Sequence, residues 1–181
     1  WWFTEIDLSS CTAEFKSCDK STYEMMLLTL KTQWLMDSMV ARTVAVTSAP
    51  FETSSELYGC WARIGENEAL HALTYSQIIR NSFDDPSVVL ADTMQLEEAM
   101  GRIKTTGEAA SRAHEVGCRL ALGEISRDSP EAYDAIFLFV VTVLCIERLQ
   151  FMASFAVTFA IGDSGQFLPI AKLVQKICSD E

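Results

Sequence analysis

The chain has 181 residues, of which 49% are hydrophobic and 22% charged, and this composition excludes a disordered or low-complexity protein. Its 14 Lys and Arg residues stand against 25 Asp and Glu residues, so the formal net charge of -11 argues against nucleic acid or an anionic membrane as a partner. The six cysteines form no Cys-x-x-Cys pair, and their irregular spacing indicates a reducing, cytoplasmic compartment.

Two long helical patterns occupy the first half of the chain. Ser21–Glu24 has the spacing of a capping box and opens an apolar stretch that Pro50 ends. A second capping box, Thr53–Glu56, precedes a helix that is expected to run to about Asn81. Pro86 lies in the turn that follows and cannot continue this helix.

Residues 87–122 are more polar than the rest of the chain. Gly101, Gly107 and Gly117 are weak points for a helix, because glycine costs about 1 kcal/mol relative to alanine in a helix interior. The segment therefore predicts two or three helical pieces on the outside of the fold.

The most apolar helix is predicted from Ala135 to about Ile161, after a start signal at Ser129–Glu131. Glu147 and Arg148 lie in its middle, and each charge would cost roughly 3 kcal/mol inside a membrane. We therefore expect a helix buried in a soluble bundle and no membrane partner. After a glycine-containing break, a last helix is predicted from about residue 167 onward, and the expected fold is all-α with a core of four long helices.

Four of these helices each carry an acid on an apolar face: Asp37, Glu68, Glu147 and Glu181. An isolated buried carboxylate is costly, so each must be paired, protonated or bound to metal. Glu68 and His71 form a Glu-x-x-His pair on one helical face. Di-iron and di-manganese bundles combine inward carboxylates from two helices with Glu-x-x-His from two others. The pattern favours a dinuclear site with oxygen-rich ligands, which suit iron or manganese.

Each of these residues also has a plain structural explanation. Asp37 could pair with Arg42, Glu147 could bond a buried polar side chain, and a single buried histidine is more often a core residue than a ligand. A bundle whose acids are only structural ion pairs therefore stays open as an alternative.

Tyr75 lies in the same narrow arc of its helix as Glu68 and His71, so its phenol is expected to point toward the same interior. It is either a core tyrosine or a phenol that is oxidised beside a metal pair and shielded from reductants. Phe151, Phe155 and Ile177 could form that shield.

Motifs along essentially the whole chain match one known family. They are Trp1–Asp7, Leu35–Ser38, Glu68–Tyr75, Ile78–Asn81, Asp85–Val89, Glu147 with Phe151 and Ser154–Ala156, and Asp180–Glu181. In these segments the chain resembles the class I ribonucleotide reductase small (beta) subunit, the radical-generating partner of that enzyme.

The resemblance implies a single ferritin-like di-metal carboxylate domain over residues 1–181, incomplete and truncated at both ends. It implies that Asp37, Glu68 and His71 hold one metal, and that Glu147 and Glu181 serve the second. The expected cofactor is a pair of iron ions, with manganese or a mixed pair as alternatives. A second Glu-x-x-His would begin at Glu181, with its histidine beyond the last residue.

Roles in radical chemistry follow from the same resemblance. Tyr75 would carry a stable radical behind the shield of Phe151, Phe155 and Ile177. Trp1 and Asp180 would belong to a transfer path toward the large subunit, which reduces ribonucleotides to deoxyribonucleotides. A homodimer in the cytoplasm is expected, without nucleic acid as a partner. The alternative from another class is a ferritin-like ferroxidase without a radical role.

Overall fold

The computed structural model describes residues 1–93 and 97–181, with side chains described outside 94–100 and 102–103. Within these ranges the chain is helical and contains no strand. The helices are α1 (Cys11–Ser17), α2 (Lys20–Ser48), α3 (Ser55–Ser82), α4 (Pro86–Thr93), α5 (Glu97–Ala121), α6 (Pro130–Cys145), α7 (Phe151–Asp163) and α8 (Leu168–Asp180). A π-helical turn, Ile146–Gln150, joins α6 to α7, and 3₁₀ turns occupy Phe3–Glu5 and Ala49–Phe51.

Side-chain caps start the two longest helices, though not at the predicted residues. The Asp19 carboxylate accepts hydrogen bonds from the backbone N–H groups of Ser21 and Thr22, so α2 begins before the predicted box at Ser21. Ser54 Oγ accepts the Leu57 N–H at 3.1 Å and starts α3. Both carboxylate and hydroxyl caps satisfy N–H groups that the first helical turn leaves without partners.

The prediction of two or three helical pieces for residues 87–122 is confirmed by α4 and α5, but the prediction that they lie on the outside is wrong for α5. Helix α5 runs through Gly107 and Gly117 without a break, and it packs against α2 and α6 instead of lying on the outside. Ala113 and Val116 are buried on its inner face. Small side chains on that face allow close packing, so the core includes one more long helix than the four expected.

The helix pair α2 and α3 forms the centre of the fold. Trp34 Nε1 of α2 donates a hydrogen bond to Ser76 Oγ of α3 at 3.0 Å. Asp37, which comes later in α2, lies beside His71, which comes earlier in α3. The pair is therefore antiparallel, and this register places the acids of the two helices at one level. Helix α7 also packs against α2, and α8 packs against α7.

A close approach between α7 and α8 determines where the end of α8 lies. A Cβ atom on Gly162 would lie 2.8 Å from the Cβ atom of Ala171, which real structures do not tolerate. The turn between the helices uses Gly165 with a φ of 87° and Phe167 with a φ of 53°, both in the left-handed region. The hairpin thus carries Asp180 and Glu181 toward α3.

The stretch Pro130–Asp163 is long and apolar enough to cross a membrane by length and composition alone. Such a stretch by itself is weak evidence, because core helices of soluble proteins pass the same test. Only 22% of an apolar 18-residue stretch within it is buried, so the helix is less buried than expected. One face, with Ala135 and Phe139, packs into the core, and the face with Phe137 and Leu144 is exposed.

Candidate metal centre

Four predicted ligands from three segments meet in the core. One ligand atom from each of Asp37, Glu68, His71 and Glu181 lies within 4.8 Å of the others. Asp37 comes from α2, Glu68 and His71 from successive turns of α3, and Glu181 follows α8. The first three residues are at most 2% exposed. A group of three carboxylates around one imidazole matches the donor set that iron and manganese prefer.

The imidazole of His71 lies at the centre of this cluster. Its Nδ1 atom is 3.0 Å from Glu181 Oε1, 3.7 Å from Glu68 Oε1 and 4.0 Å from Asp37 Oδ2. Its Nε2 atom faces Asp180 Oδ2 at 3.2 Å. Although Nδ1 and Glu181 Oε1 are close, they do not have the geometry of a hydrogen bond.

Several donor atoms of the cluster are buried without any hydrogen-bond partner. They are both carboxylate oxygens of Asp37, Glu68 Oε2, His71 Nδ1, Glu181 Oε1 and both carboxylate oxygens of Glu147. Buried polar atoms without partners are rare and costly, and oxygen atoms converging on one space need a cation or protons. The residues present therefore fit a metal centre, since metal ions would satisfy these atoms together.

Burial and mutual repulsion perturb the pKa values of the cluster. Burial, and then the charge of Glu68, raises the pKa of Asp37 well above its usual range. Burial likewise raises the pKa of Glu68. Burial lowers the pKa of His71, but the neighbouring Glu181, Glu68 and Asp37 carboxylates outweigh this effect and raise it to about 11. Without metal, the cluster must hold protons in its place.

Glu147 lies outside that closest group but opens onto the same space. It stands in the π-helical turn, and a cavity of about 320 Å³ is lined by Glu147 together with Glu68, His71 and Glu181. Burial, and then the adjacent Glu181, raises the pKa of Glu147 to about 11. Sequence periodicity predicted the acid but not the π turn, which shifts a side chain around the helix and is frequent at functional sites.

Tyr75 is fully buried, and its hydroxyl has no hydrogen-bond partner. Burial, and then the charges of Asp37 and Glu181, raises the pKa of its phenol well above 10. The rings of Phe151 and Phe155 stack with their centroids 5.7 Å apart and an angle of 11° between their planes. Both rings and Ile177 belong to the same buried cluster as Tyr75.

A chain of contacts leads from the cluster to the protein surface. The indole Nε1 of Trp1 donates a hydrogen bond to Asp180 Oδ2 at 2.7 Å, and the same carboxylate oxygen faces His71 Nε2. The rings of Trp1 and His71 are nearly parallel, with an angle of 12° and centroids 6.1 Å apart. Lys176 Nζ lies 5.9 Å from the centre of the Trp1 ring. The Asp180 carboxylate thus connects Trp1, at the other end of the sequence, with His71 of the cluster.

Comparison with known proteins agrees with this geometry, although no protein-family model matches the chain. Ribonucleoside-diphosphate reductase beta subunits from Buchnera aphidicola subsp. Baizongia pistaciae and from Escherichia coli O157:H7 are each 26% identical over 191 residues. Each alignment covers 100% of this chain and 51% of the relative. The beta subunit of Enterobacteria phage T4 is 22% identical over 200 residues and is covered to 52%.

A crystal structure described as a putative class I ribonucleotide reductase from Bacillus halodurans has a TM-score of 0.83 to this fold at 15% identity. The likeness covers 99% of this chain and 60% of that one. The fold is therefore all-α, a ferritin-like bundle of the ribonucleotide reductase type. Over its whole length the chain is similar to the beta subunits of ribonucleoside-diphosphate reductase, and it spans about half the length of the curated relatives it matches.

Proposed function

We propose that the chain belongs to a small subunit of ribonucleoside-diphosphate reductase that generates a tyrosyl radical for its large subunit. The observation that carries this proposal is the position of Tyr75. A fully buried phenol without a hydrogen-bond partner lies one helical turn beyond His71 of the carboxylate cluster. A ferroxidase has no use for such a phenol or for a tryptophan hydrogen-bonded to the cluster's neighbour Asp180.

Five side chains would hold a pair of metal ions: Asp37, Glu68, His71, Glu147 and Glu181. Two iron ions with oxygen, or manganese in their place, would supply the oxidising power that takes one electron and one proton from the phenol. The protein's own contribution is to converge the carboxylates, to neutralise the bound charge and to exclude water. Glu147 and Glu181, beside each other, are the natural pair to share the second ion.

The environment of Tyr75 suits a radical that must persist. Loss of an electron from a phenol releases its proton, and the nearby Asp37 and Glu181 carboxylates are bases of the right kind to receive it. The wall of Phe151, Phe155 and Ile177 would keep water-soluble reductants away. Because these side chains are apolar, they offer the radical no hydrogen atom in an O–H or N–H group.

Electrons would leave and return along the contacts at the surface. Trp1 would accept or donate an electron at the surface. The Asp180 carboxylate accepts the Trp1 N–H and also faces the His71 ring, which belongs to the ligand cluster. The partner at this surface would be the large subunit, which binds and reduces the ribonucleotide. A homodimer in the cytoplasm completes the proposal.

Iron titration with electron paramagnetic resonance tests the proposal on the full-length protein. We expect two Fe²⁺ ions per chain, and after exposure to oxygen an organic radical signal that is absent from Tyr75→Phe. Tyr58→Phe, on the exposed part of α3, is the matched control and should keep the signal. Iron oxidation without a radical in the unmodified protein would favour the ferroxidase, and no stoichiometric iron binding would favour structural ion pairs.

A further inference from the structure

A buried amide lies at the same level as Tyr75. Asp37 of α2 lies beside His71 of α3, and because the two helices are antiparallel, Gln33, one turn before Asp37, lies level with Tyr75, one turn after His71. Gln33 is fully buried and stands one turn before Asp37 on α2. Leu30 and Met36 are buried beside it on the same helix, so the amide lies next to apolar side chains as well as near the ligand Asp37.

The amide of Gln33 binds the helix that carries the phenylalanine wall. Its Nε2 atom donates a hydrogen bond to Ser154 Oγ at 3.0 Å. Ser154 Oγ in turn donates to the carbonyl oxygen of Phe151 at 2.8 Å, so the hydroxyl must accept from the amide. Ser154 lies on α7 between Phe151 and Phe155, and the bond therefore joins the ligand helix α2 directly to the segment with both rings.

This connection is costly for the fold. The carbonyl oxygen of the Gln33 amide is buried without a hydrogen-bond partner, and a buried polar atom without a partner is unfavourable. A leucine or methionine would fill the space without that cost. Polar groups kept in a core despite their cost can select one arrangement among several packings of similar energy.

Helix α7 has a particular need for such a restraint. It begins directly after the π-helical turn, where the continuous helix from α6 changes register. A π turn adds a residue to the helical register, so the side chains of α7 are shifted around the helix axis relative to the faces of α6, and tertiary contacts must support this orientation. Rotation of α7 would move both phenylalanine rings within the buried cluster that they share with Tyr75.

We propose that Gln33 and Ser154 are positioning residues that hold α7 in the rotation at which Phe151 and Phe155 close over Tyr75. The use of the closed wall as a radical shield rests on the proposed function, whereas the closure itself does not. The two questions are therefore tested by separate measurements.

Nitration of tyrosines by tetranitromethane in the full-length, metal-free protein tests the closure. In the unmodified protein the half-exposed Tyr58 and Tyr133 should react, and Tyr75 should be protected. In Gln33→Met or Ser154→Ala the nitration rate of Tyr75 should rise at least about tenfold relative to those two references, which corresponds to about 1.4 kcal/mol. Peptide mass spectrometry measures each site separately.

Three further variants separate positioning from a general loss of stability. Ser76→Ala removes another interhelical hydrogen bond of 3.0 Å and should leave Tyr75 protected. Ser154→Thr keeps the hydroxyl and should restore protection, and the double variant Gln33→Met/Ser154→Ala should react no faster than either single variant. Unchanged protection of Tyr75 in Ser154→Ala, or equal loss of protection in Ser76→Ala, would overturn the proposal.

A second measurement extends the result to the radical. After iron and oxygen, the decay of the radical signal with added hydroxylamine should be at least about tenfold faster in Ser154→Ala than in Ser76→Ala, about 1.4 kcal/mol in barrier. Absence of any radical in the unmodified protein refutes the proposed function. The nitration result then decides the role of Gln33 and Ser154 by itself.

Discussion

In the metal-free protein, the free energy of unfolding should fall as pH rises from 7 to 9. Two groups of the cluster have strongly raised pKa values in the folded chain: His71, from 6.5 to about 11, and Glu147, from 4.5 to about 11. Between pH 7 and 9 the folded chain keeps protons on these groups that the unfolded chain has released. Their contribution to stability is complete below the unfolded pKa values and is lost as pH rises toward the folded ones.

The size of the effect follows from the number of protons retained. Each proton held only by the folded chain changes the free energy of unfolding by about 1.4 kcal/mol per pH unit. A single retained proton therefore lowers stability by about 3 kcal/mol between pH 7 and 9, a large part of the roughly 5–15 kcal/mol typical of a domain. Metal ions take the place of the protons, so the loaded protein should not show this decline.

Urea unfolding followed by circular dichroism at pH 7, 8 and 9, on chelator-treated protein, measures the slope. Glu147→Gln removes one titrating group and should make the slope shallower. Glu108→Gln, on the exposed face of α5, is the matched control and should leave the slope unchanged. Stability of the metal-free protein that is constant or rises from pH 7 to 9 would refute the reasoning about the cluster.

Three further changes test other parts of the structure. Tyr75→Phe removes a buried hydroxyl that has no hydrogen-bond partner, so the free energy of unfolding in urea should stay the same or rise by about 1 kcal/mol. A decrease of more than about 1 kcal/mol would show that the hydroxyl does have a partner. Gly162→Ala should lower stability by about 1–3 kcal/mol because the new Cβ would lie 2.8 Å from that of Ala171, and adding Ala171→Gly should recover much of the loss. Asp180→Asn replaces the carboxylate between Trp1 and the cluster. The radical should still form, but nucleotide reduction with the large subunit should fall at least about tenfold because a charge-assisted hydrogen bond is lost. Unchanged turnover would exclude Asp180 from the path.

The sequence by itself determined the fold class and most of the candidate ligands. Helical periodicity, together with two capping boxes and the Ser129–Glu131 start signal, predicted an all-α bundle, because hydrophobic faces repeat at the helical period regardless of what packs on them. The shared helical face of Glu68, His71 and Tyr75 could also be predicted from the sequence, since residues three and four apart lie on one face of a helix. The acids were conspicuous because a carboxylate on an apolar face is rare without a partner.

The tertiary structure alone decided how these residues combine. Periodicity within one helix carries no information on the register between helices, so only the packing of α2 on α3 shows that Asp37 meets His71 and that Gln33 lies level with Tyr75. The π turn around Glu147 has no sequence signal of its own, because it is stabilised by packing rather than by propensity. Helix α5 ran through glycines that local propensity disfavours, since burial of its alanine face outweighs about 1 kcal/mol per glycine. The contact of Trp1 with Asp180 joins the two ends of the chain, and such long-range pairs depend on the complete fold.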